Sequence, residues 1–591
     1  MTIEIARVGV VGCGTMGAGI AELVARNGVD VRFVETDEAA LDRGWARIRA
    51  SLDRGVERGH LDAAQREAVE QRIQGSTVWS TLSDCDLIVE AVPETLAAKQ
   101  AVFRRMDRVA RADAILATNT SSLPVMDIAV HSSRPNRVVG FHFFNPAPVM
   151  PLVELVRTVI ADDAVVEAAR QFAERVGKVA VVVGDRRGFI ANQLLFPYLN
   201  QAVWMVEGGY ATKEDVDTAM RLGAGLPMGP IALTDMVGID TFHGIMDAIH
   251  EEVGDTRFAP RPILSQLARA EFTGRKAGRG FYTYEAPGSS RVVADDEVRP
   301  GPDPSTIASW TRIGVVGTGE VATGLVEACA RAGFEVNVVG RTREEAERCA
   351  AQASLAMQRM VNRSLLTTDE MIVALGRIRP TIAIEDVEGC DLVVDAGEDL
   401  DAAARVATFA SLGERLPAGT LLATTSASVP VIDCAMASGR PELVVGLHLF
   451  TPSSVMRLVE IVTTVRVDDA VVEQARAFVE RIDRVGVLCG DRAGLIVNTL
   501  LFPYLNDAVK LLESHYATAE QIDTTMRLGC GYPQGPFELL DTIGLDVALT
   551  IIERLCDEYR QNSHEPAPLL RHLVEMGFLG HKSGRGFYVY D

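Results

Sequence analysis

Residues 139–154 read VGFHFFNPAPVMPLVE and residues 445–460 read VGLHLFTPSSVMRLVE, so a histidine and a glutamate recur at one spacing in two places. His142 is followed by Glu154 and His448 by Glu460, and the two histidines lie 306 residues apart. A strand-like run entering a histidine, a turn marked by proline and a second apolar run carrying a glutamate bring an imidazole and a carboxylate together from neighbouring strands. A proton-transferring base needs that pairing. The carboxylate fixes the tautomer and stabilises the imidazolium, and such a base contributes roughly 10²- to 10⁴-fold in rate. The plainer reading of one pair alone is a core histidine beside an acid, which repetition makes less economical. Asn192 in GFIANQLLFPYLN and Asn498 in GLIVNTLLFPYLN keep the same interval. The chain reads as two copies of one fold.

The rest of the chain has to position these groups, and 591 residues are more than one hydrophobic core usually fills. Hydrophobic residues at 48% and charged residues at 23% are ordinary for a globular protein. No apolar run approaches the roughly eighteen residues of a membrane span, and the opening MTIEIARVGVVG lacks the features of a secretory leader. Nine scattered cysteines without a C-x-x-C pair suit reduced thiols and a cytoplasmic setting, and no metal site is indicated. A formal charge of −22 argues against nucleic acid as a partner.

In the first copy a short apolar strand over 7–11 runs into GCGTMG, then a helical pattern to about Arg26, a strand over 31–34, and Glu35. That order is the dinucleotide fingerprint. Gly12 permits the tight turn, Gly14 lets a pyrophosphate approach the backbone, and Gly17 lets helix and strand pack. Glu35 would accept hydrogen bonds from an adenosine ribose, which favours NAD over its 2′-phosphorylated form. Residues 41–73 read as one long helical excursion, with Arg43, Arg47, Arg54 and Arg58 on one face beside Ser51. Such a stripe is either a solvated face or a dock for a second phosphate-bearing ligand.

The sheet resumes over 85–94, followed by a helix carrying Lys99, a strand over 115–118 and the polar turn of residues 119–122. Turns at the carboxyl ends of parallel strands hold ligands, which directs Glu90, Asn119 and Ser121 toward the cofactor crevice. Ser122 alternatively caps a helix. Residues 179–183 form the last strand, and the pattern is helical from Arg187 to about Ile249. The expected organisation is α/β plus all-α: a Rossmann-type unit over 1–186, a helical unit over 187–285, an exposed linker over 286–309, and a second pair over 310–492 and 493–591.

With these residues in view, each half resembles an L-3-hydroxyacyl-CoA dehydrogenase, also called 3-hydroxybutyryl-CoA dehydrogenase. NTSSLPV, HFFNP, LVE, GFIANQLL and GAGLPMGP carry the likeness, which runs nearly end to end in both halves. It implies a Rossmann domain with a helical dimerisation domain, and NAD-dependent oxidation of (3S)-hydroxyacyl-CoA to 3-oxoacyl-CoA. It further implies His142 as base, Glu154 as its partner, Ser121 on the substrate oxygen and Asn192 on the thioester side. Ser51 and Arg58 fall where the family contacts coenzyme A, and Glu35, Glu90, Lys99, Asn119 and Lys276 fall at cofactor positions. Two helical domains in one chain imply an intrachain pseudo-dimer, with further self-assembly left open. A sugar-acid dehydrogenase of the gulonate type and a non-catalytic acyl-CoA or NAD-binding scaffold are the competing readings.

The second half departs from this pattern. Ala322 stands for Gly17, Glu320 for Thr15, Gly340 for Glu35, Ala404 for Lys99, Thr425 for Asn119 and Ala427 for Ser121. An alanine in the fingerprint with Arg341 after the second strand can mark an NADP site. Against that, Glu320 places a carboxylate where a pyrophosphate would lie, a repulsion on the order of 3 to 4 kcal/mol per charge pair before screening. The reading favoured here is a decayed cofactor site whose half acts chiefly as a built-in partner.

Overall fold

A computed structural model of the chain describes residues 3–293, 299–397, 402–452, 455–560 and 564–590. The first half opens with eight strands in one sheet: β1 (Arg7–Val11), β2 (Asp30–Val34), β3 (Ile73–Ser76), β4 (Leu87–Glu90), β5 (Ile115–Thr118), β6 (Val138–Phe143), β7 (Leu152–Arg157) and β8 (Val179–Gly184). Their order is β3-β2-β1-β4-β5-β6-β7-β8. All neighbours run parallel except β6 and β7. Every residue of β4 and β5 is buried, as strands covered on both faces require, and their apolar runs show no alternation.

The excursion over 41–73 is not one helix. It is Glu38–Glu57, a turn, then Ala63–Gln71 leading into β3. The break follows from Gly59, whose φ of +71° suits glycine, and from a capping box in which Asp62 and Gln65 start the next helix. The stretch expected as an exposed linker is exposed at Val292 and Val293, although they pair with Tyr284 and Thr283 in a short antiparallel ladder, but Ile307 is buried ahead of the second sheet, where its apolar side chain finds cover.

Helices Ala191–Glu207, Lys213–Gly223, Pro230–Val237, Ile239–Val253 and Pro262–Arg269 make the helical unit of the first half. The second half repeats the plan, with an eight-stranded sheet in the same order and helices such as Val497–Glu513 and Ala519–Cys530. Each sheet has its own core, but the two helical units share one, in which Leu199, Ala202, Leu505 and Ala508 belong to a single buried cluster. Tyr198 and Tyr504 face one another with ring centroids 6.2 Å apart. Arg257 of the first half pairs with Asp507 of the second. Each helical unit also reaches the opposite sheet: Tyr210 donates to the Gly490 carbonyl at 2.9 Å and Tyr516 to the Gly184 carbonyl at 2.8 Å. The repeat is therefore closed into an intrachain pair. Among the described residues no helix is long and apolar enough to cross a membrane.

Candidate active site

The one antiparallel step of the first sheet puts His142 directly opposite Glu154. His142 Nδ1 lies 2.7 Å from Glu154 Oε2. A carboxylate only accepts, so Nδ1 carries the proton and Nε2 is the nitrogen left to exchange one. The other oxygen, Oε1, accepts from the amides of Ile190 and Ala191, both at 3.0 Å, at the start of the helix Ala191–Glu207. Amides there lack intrahelical partners and favour negative charge. Glu154 thus ties the imidazole to the helical unit, and its burial is complete. Phe144 and Phe189 flank the imidazole at ring-centroid distances of 4.9 and 5.6 Å.

The turn after β5 converges on the same point. Asn119 Oδ1 accepts from the Phe143 amide at 2.9 Å, which fastens the turn next to His142. Asn192, in the first turn of the same helix, donates to the Ser121 carbonyl at 2.9 Å. His142, Ser121 and Asn192 are therefore brought together from the sheet, a loop and the helical unit. The turn has a further organiser that sequence reading missed. Glu94 Oε1 accepts from Thr120 Oγ1 at 2.6 Å, from the Ser121 amide at 2.8 Å and from Ser122. Ser122 is thus held by Glu94 and caps no helix; Pro124 precedes the helix Val125–Ala129. Burial works to raise the Glu94 carboxyl, but the charge of Lys99 and these hydrogen bonds outweigh it and hold the group below its ordinary value.

Lys99 and Glu90 expose no side-chain surface. Lys99 Nζ donates to Glu90 Oε1 at 2.9 Å and pairs with Glu94 at 3.2 Å, while Thr118 Oγ1 donates to Glu90 Oε2 at 2.6 Å. A buried pair of this kind holds only when its remaining lone pairs and protons are also satisfied, as here.

The glycine loop fits NAD. Gly12 has a φ of +88°, and a Cβ on Gly17 would lie 1.8 Å from the Gly12 carbonyl oxygen. The space before Gly14 is open, and the helix Thr15–Arg26 that follows has no side-chain cap on its first amides. Glu35 stands at the end of β2 and accepts from the Cys13 amide at 2.5 Å. Backbone amides, open space and a carboxylate are the parts a dinucleotide requires there.

The remaining positions are spread wider. Arg43, Arg47, Arg54 and Arg58 are all exposed along the helix Glu38–Glu57 and its end, and Ser51 is half-buried. A Cβ on Gly44 would lie 2.8 Å from Cys13 Cβ, so the stretch of helix that carries Arg43 and Arg47 runs beside the glycine loop. Lys276 lies in the helical unit, half-exposed, and pairs with Asp240 at 2.6 Å.

In the second half His448 Nδ1 lies 2.7 Å from Glu460 Oε2, and Glu460 Oε1 accepts from Ile496 and Val497 at 2.9 Å. His448 borders a cleft of about 750 Å³ that also includes Asn498, Thr425, Ala427 and Glu320. Gly340 leaves no carboxylate where Glu35 stands, and Arg341 is engaged by Glu345 at 3.0 Å. One sequence-based equivalence is corrected. Arg405, not Ala404, takes the place of Lys99: it is buried, donates to Asp395 at 2.7 Å and reaches Thr424 at 3.1 Å. One extra residue between Asp395 and Thr424 shifts the interval from 305 to 306, so a fixed offset picks the wrong neighbour.

Comparison with known proteins agrees with this architecture. The model for the 3-hydroxyacyl-CoA dehydrogenase NAD binding domain matches residues 7–186 and 312–492, and that for the 3-hydroxyacyl-CoA dehydrogenase C-terminal domain matches 188–284 and 494–590. A 3-hydroxybutyryl-CoA dehydrogenase of Mycobacterium tuberculosis (strain ATCC 25618 / H37Rv) is 47% identical over 286 residues, 48% of this chain and all of the relative. Mouse mitochondrial hydroxyacyl-coenzyme A dehydrogenase is 41% identical over 290 residues, 48% of this chain and 92% of the relative. The crystal structure of a 3-hydroxybutyryl-CoA dehydrogenase from Escherichia coli K12 aligns over 97% of this chain and 100% of its own, with TM-score 0.69 and 26% identity. The chain belongs to the 3-hydroxyacyl-CoA dehydrogenase family, as an NAD-binding oxidoreductase that carries the family's two domains twice in tandem.

Proposed function

We propose that the first half interconverts (3S)-3-hydroxyacyl-CoA and 3-oxoacyl-CoA with NAD, and that the second half serves it mainly as a built-in partner. Supporting this most directly is the 2.7 Å contact of His142 with a glutamate anchored on a helix start, beside a glycine loop that fits the dinucleotide. NAD, when bound, accepts or returns a hydride at the carbon bearing the oxygen. In the oxidising direction Nε2 of His142 takes the hydroxyl proton, and Glu154 stabilises the imidazolium. In the reducing direction the same nitrogen returns it. The Ser121 hydroxyl donates to the substrate oxygen, and the Asn192 amide holds the thioester side. Gly12, Gly14, Gly17 and Glu35 hold the cofactor; Glu90, Lys99 and Asn119 support the crevice beneath it, and Lys276 approaches from the helical unit. Ser51 and Arg58 contact the coenzyme A moiety, with the arginine stripe offsetting its phosphates.

The working boundaries are 1–186, 187–285, 310–492 and 493–591. Free thiols suit a cytoplasmic enzyme. In the second half the loss of counterparts to Glu35, Asn119 and Ser121 supports a decayed cofactor site, while the retained His448–Glu460 pair keeps the fold of its cleft.

The test is reduction of acetoacetyl-CoA by NADH, with NADPH alongside. Wild-type chain is expected to turn it over and the His142→Gln variant to fail. No turnover by wild type, or equal turnover by both, overturns the reading.

A further inference from the structure

The helix Ala519–Cys530 belongs to the second half, yet its end lies against the strand-turn-strand that carries His142. A Cβ on Gly529 would stand 2.8 Å from Leu152 Cδ2 and 2.9 Å from Phe144 Cε1. The Phe144 ring is itself 4.9 Å from that of His142. One side chain separates the second half's backbone from the base of the first. Cys530 follows directly, and it is only partly covered although it lies in the shared interior of the pair. Burial, and after it the charge of Glu154, pushes its thiol up to about 12, which places the sulfur within electrostatic reach of the first half's carboxylate. Cys530 stands in the repeat where Ala224 stands in the first half, so the surface it presents is read from that counterpart.

The other half of the pair shows that surface. Gly223 packs on Leu458 and Phe450 as Gly529 packs on Leu152 and Phe144. Gly223, Ala224 and Gly225, all of the first half, line the roughly 750 Å³ cleft around His448. Ala224 and Cys530 are counterparts at the repeat interval of 306. That cleft combines polar lining at Thr425, Ser426 and Arg405 with apolar lining at Leu501, Leu539 and Ile543, and Ala224, Leu501 and Leu539 are grouped again around a small cavity between Tyr198 and Tyr504, so the crossing segment sits with the apolar residues. A 3-oxoacyl thioester whose carbonyl meets the histidine and whose phosphates stay near solvent must send its hydrocarbon tail to the apolar end.

We propose that Cys530, supplied by the second half, is a specificity-determining residue of the first half, closing the apolar end of its cleft with Gly529 and Gly531 and limiting the acyl chain. The claim rests on the dehydrogenase reading. It gives the second half a part in the reaction that no decayed cofactor site could supply. Ala224 does the same for the second cleft with a smaller side chain.

The experiment measures kcat/KM for four-carbon and eight-carbon 3-oxoacyl-CoA, and calorimetric binding of both without cofactor. Cys530→Leu is expected to lower the eight- to four-carbon ratio by about tenfold in both measurements, and Cys530→Ala to raise it several-fold, as a change of about one methylene in an apolar pocket does. A rise in Cys530→Ala cannot come from misfolding. Ratios for both Cys530 variants within twofold of wild type, or equal losses at both lengths, overturn the proposal while four-carbon turnover by wild type upholds the dehydrogenase reading. Absence of any wild-type turnover overturns that reading, and this inference with it.

Discussion

Glu154 divides its two oxygens between His142 and the helical unit: Oε2 takes the imidazole at 2.7 Å, and Oε1 takes two helix-start amides at 3.0 Å. The base is therefore held by the same carboxylate that docks sheet to helices, and its aim depends on that docking.

Replacing Glu154 with Gln keeps an acceptor for the helix amides but turns the other terminus into a donor. The side-chain amide then donates to Nδ1, which drives the proton to Nε2 and removes the base. Steady-state kinetics are expected to show kcat reduced by roughly 10²- to 10⁴-fold with KM little changed. His142→Gln is expected to do the same.

For His448→Gln the expectation differs, because the cleft around it lacks counterparts of Glu35 and Ser121. Most of the turnover should remain. Equal losses from the two histidine variants in one assay would show that both halves catalyse.

Charge reversal on the exposed arginine stripe tests the second ligand. Arg47→Glu with Arg58→Glu should raise KM for acetoacetyl-CoA at low salt and leave a thioester without the nucleotide unaffected. A sugar-acid dehydrogenase would show no such dependence on the thioester's nucleotide.

Glu94 holds Thr120, Ser121 and Ser122 while it shares the Lys99 ammonium with Glu90. Glu94→Ala leaves those donors and a buried ammonium short of a partner, so urea denaturation should report a loss of about 1–3 kcal/mol. Displacement of the turn should also lower kcat on the order of ten- to a hundredfold.

His564 offers a pH test of the pairing between halves. It is buried against Tyr559, with a ring separation of 5.3 Å, in a cavity that also touches Arg257, Asn200 and Asp507. Burial first, then the charges of Lys510 and Arg257, lowers it from 6.5 to about 4. A histidine whose folded pKa is depressed stabilises the fold fully above its unfolded value and loses that contribution as pH falls through the folded one. Between pH 6.5 and 4 the loss amounts to on the order of 3 kcal/mol at most. Urea midpoints of wild type should therefore fall faster over that window than those of His564→Gln.

Much of this is legible in the sequence. The pairing of β6 with β7 is legible because a proline-marked turn joins two apolar runs that carry the histidine and the glutamate, and the glycine loop because its spacing leaves room for a pyrophosphate. The split of residues 41–73 is written in Asp62 and Gln65, whose spacing is that of a capping box. β3, with the sequence IQGS, carries too little apolar signal to be read as a strand, and sits at the sheet edge. Arg405 was hidden by a single inserted residue, although its chemistry, a cation against Asp395, was there to be matched. Glu94 gave no periodic signal, since its partners come from a loop some 26 residues on. The contacts of Gly529 and Cys530 with the first half join segments more than 370 residues apart, and no local pattern encodes them.

In a homodimer built from identical subunits, any exchange at the crossing segment would alter both reaction chambers at once. Here the twofold is written along a single polypeptide, so Ala224 and Cys530 are free to differ, and each chamber can be reshaped by a codon that leaves the other alone.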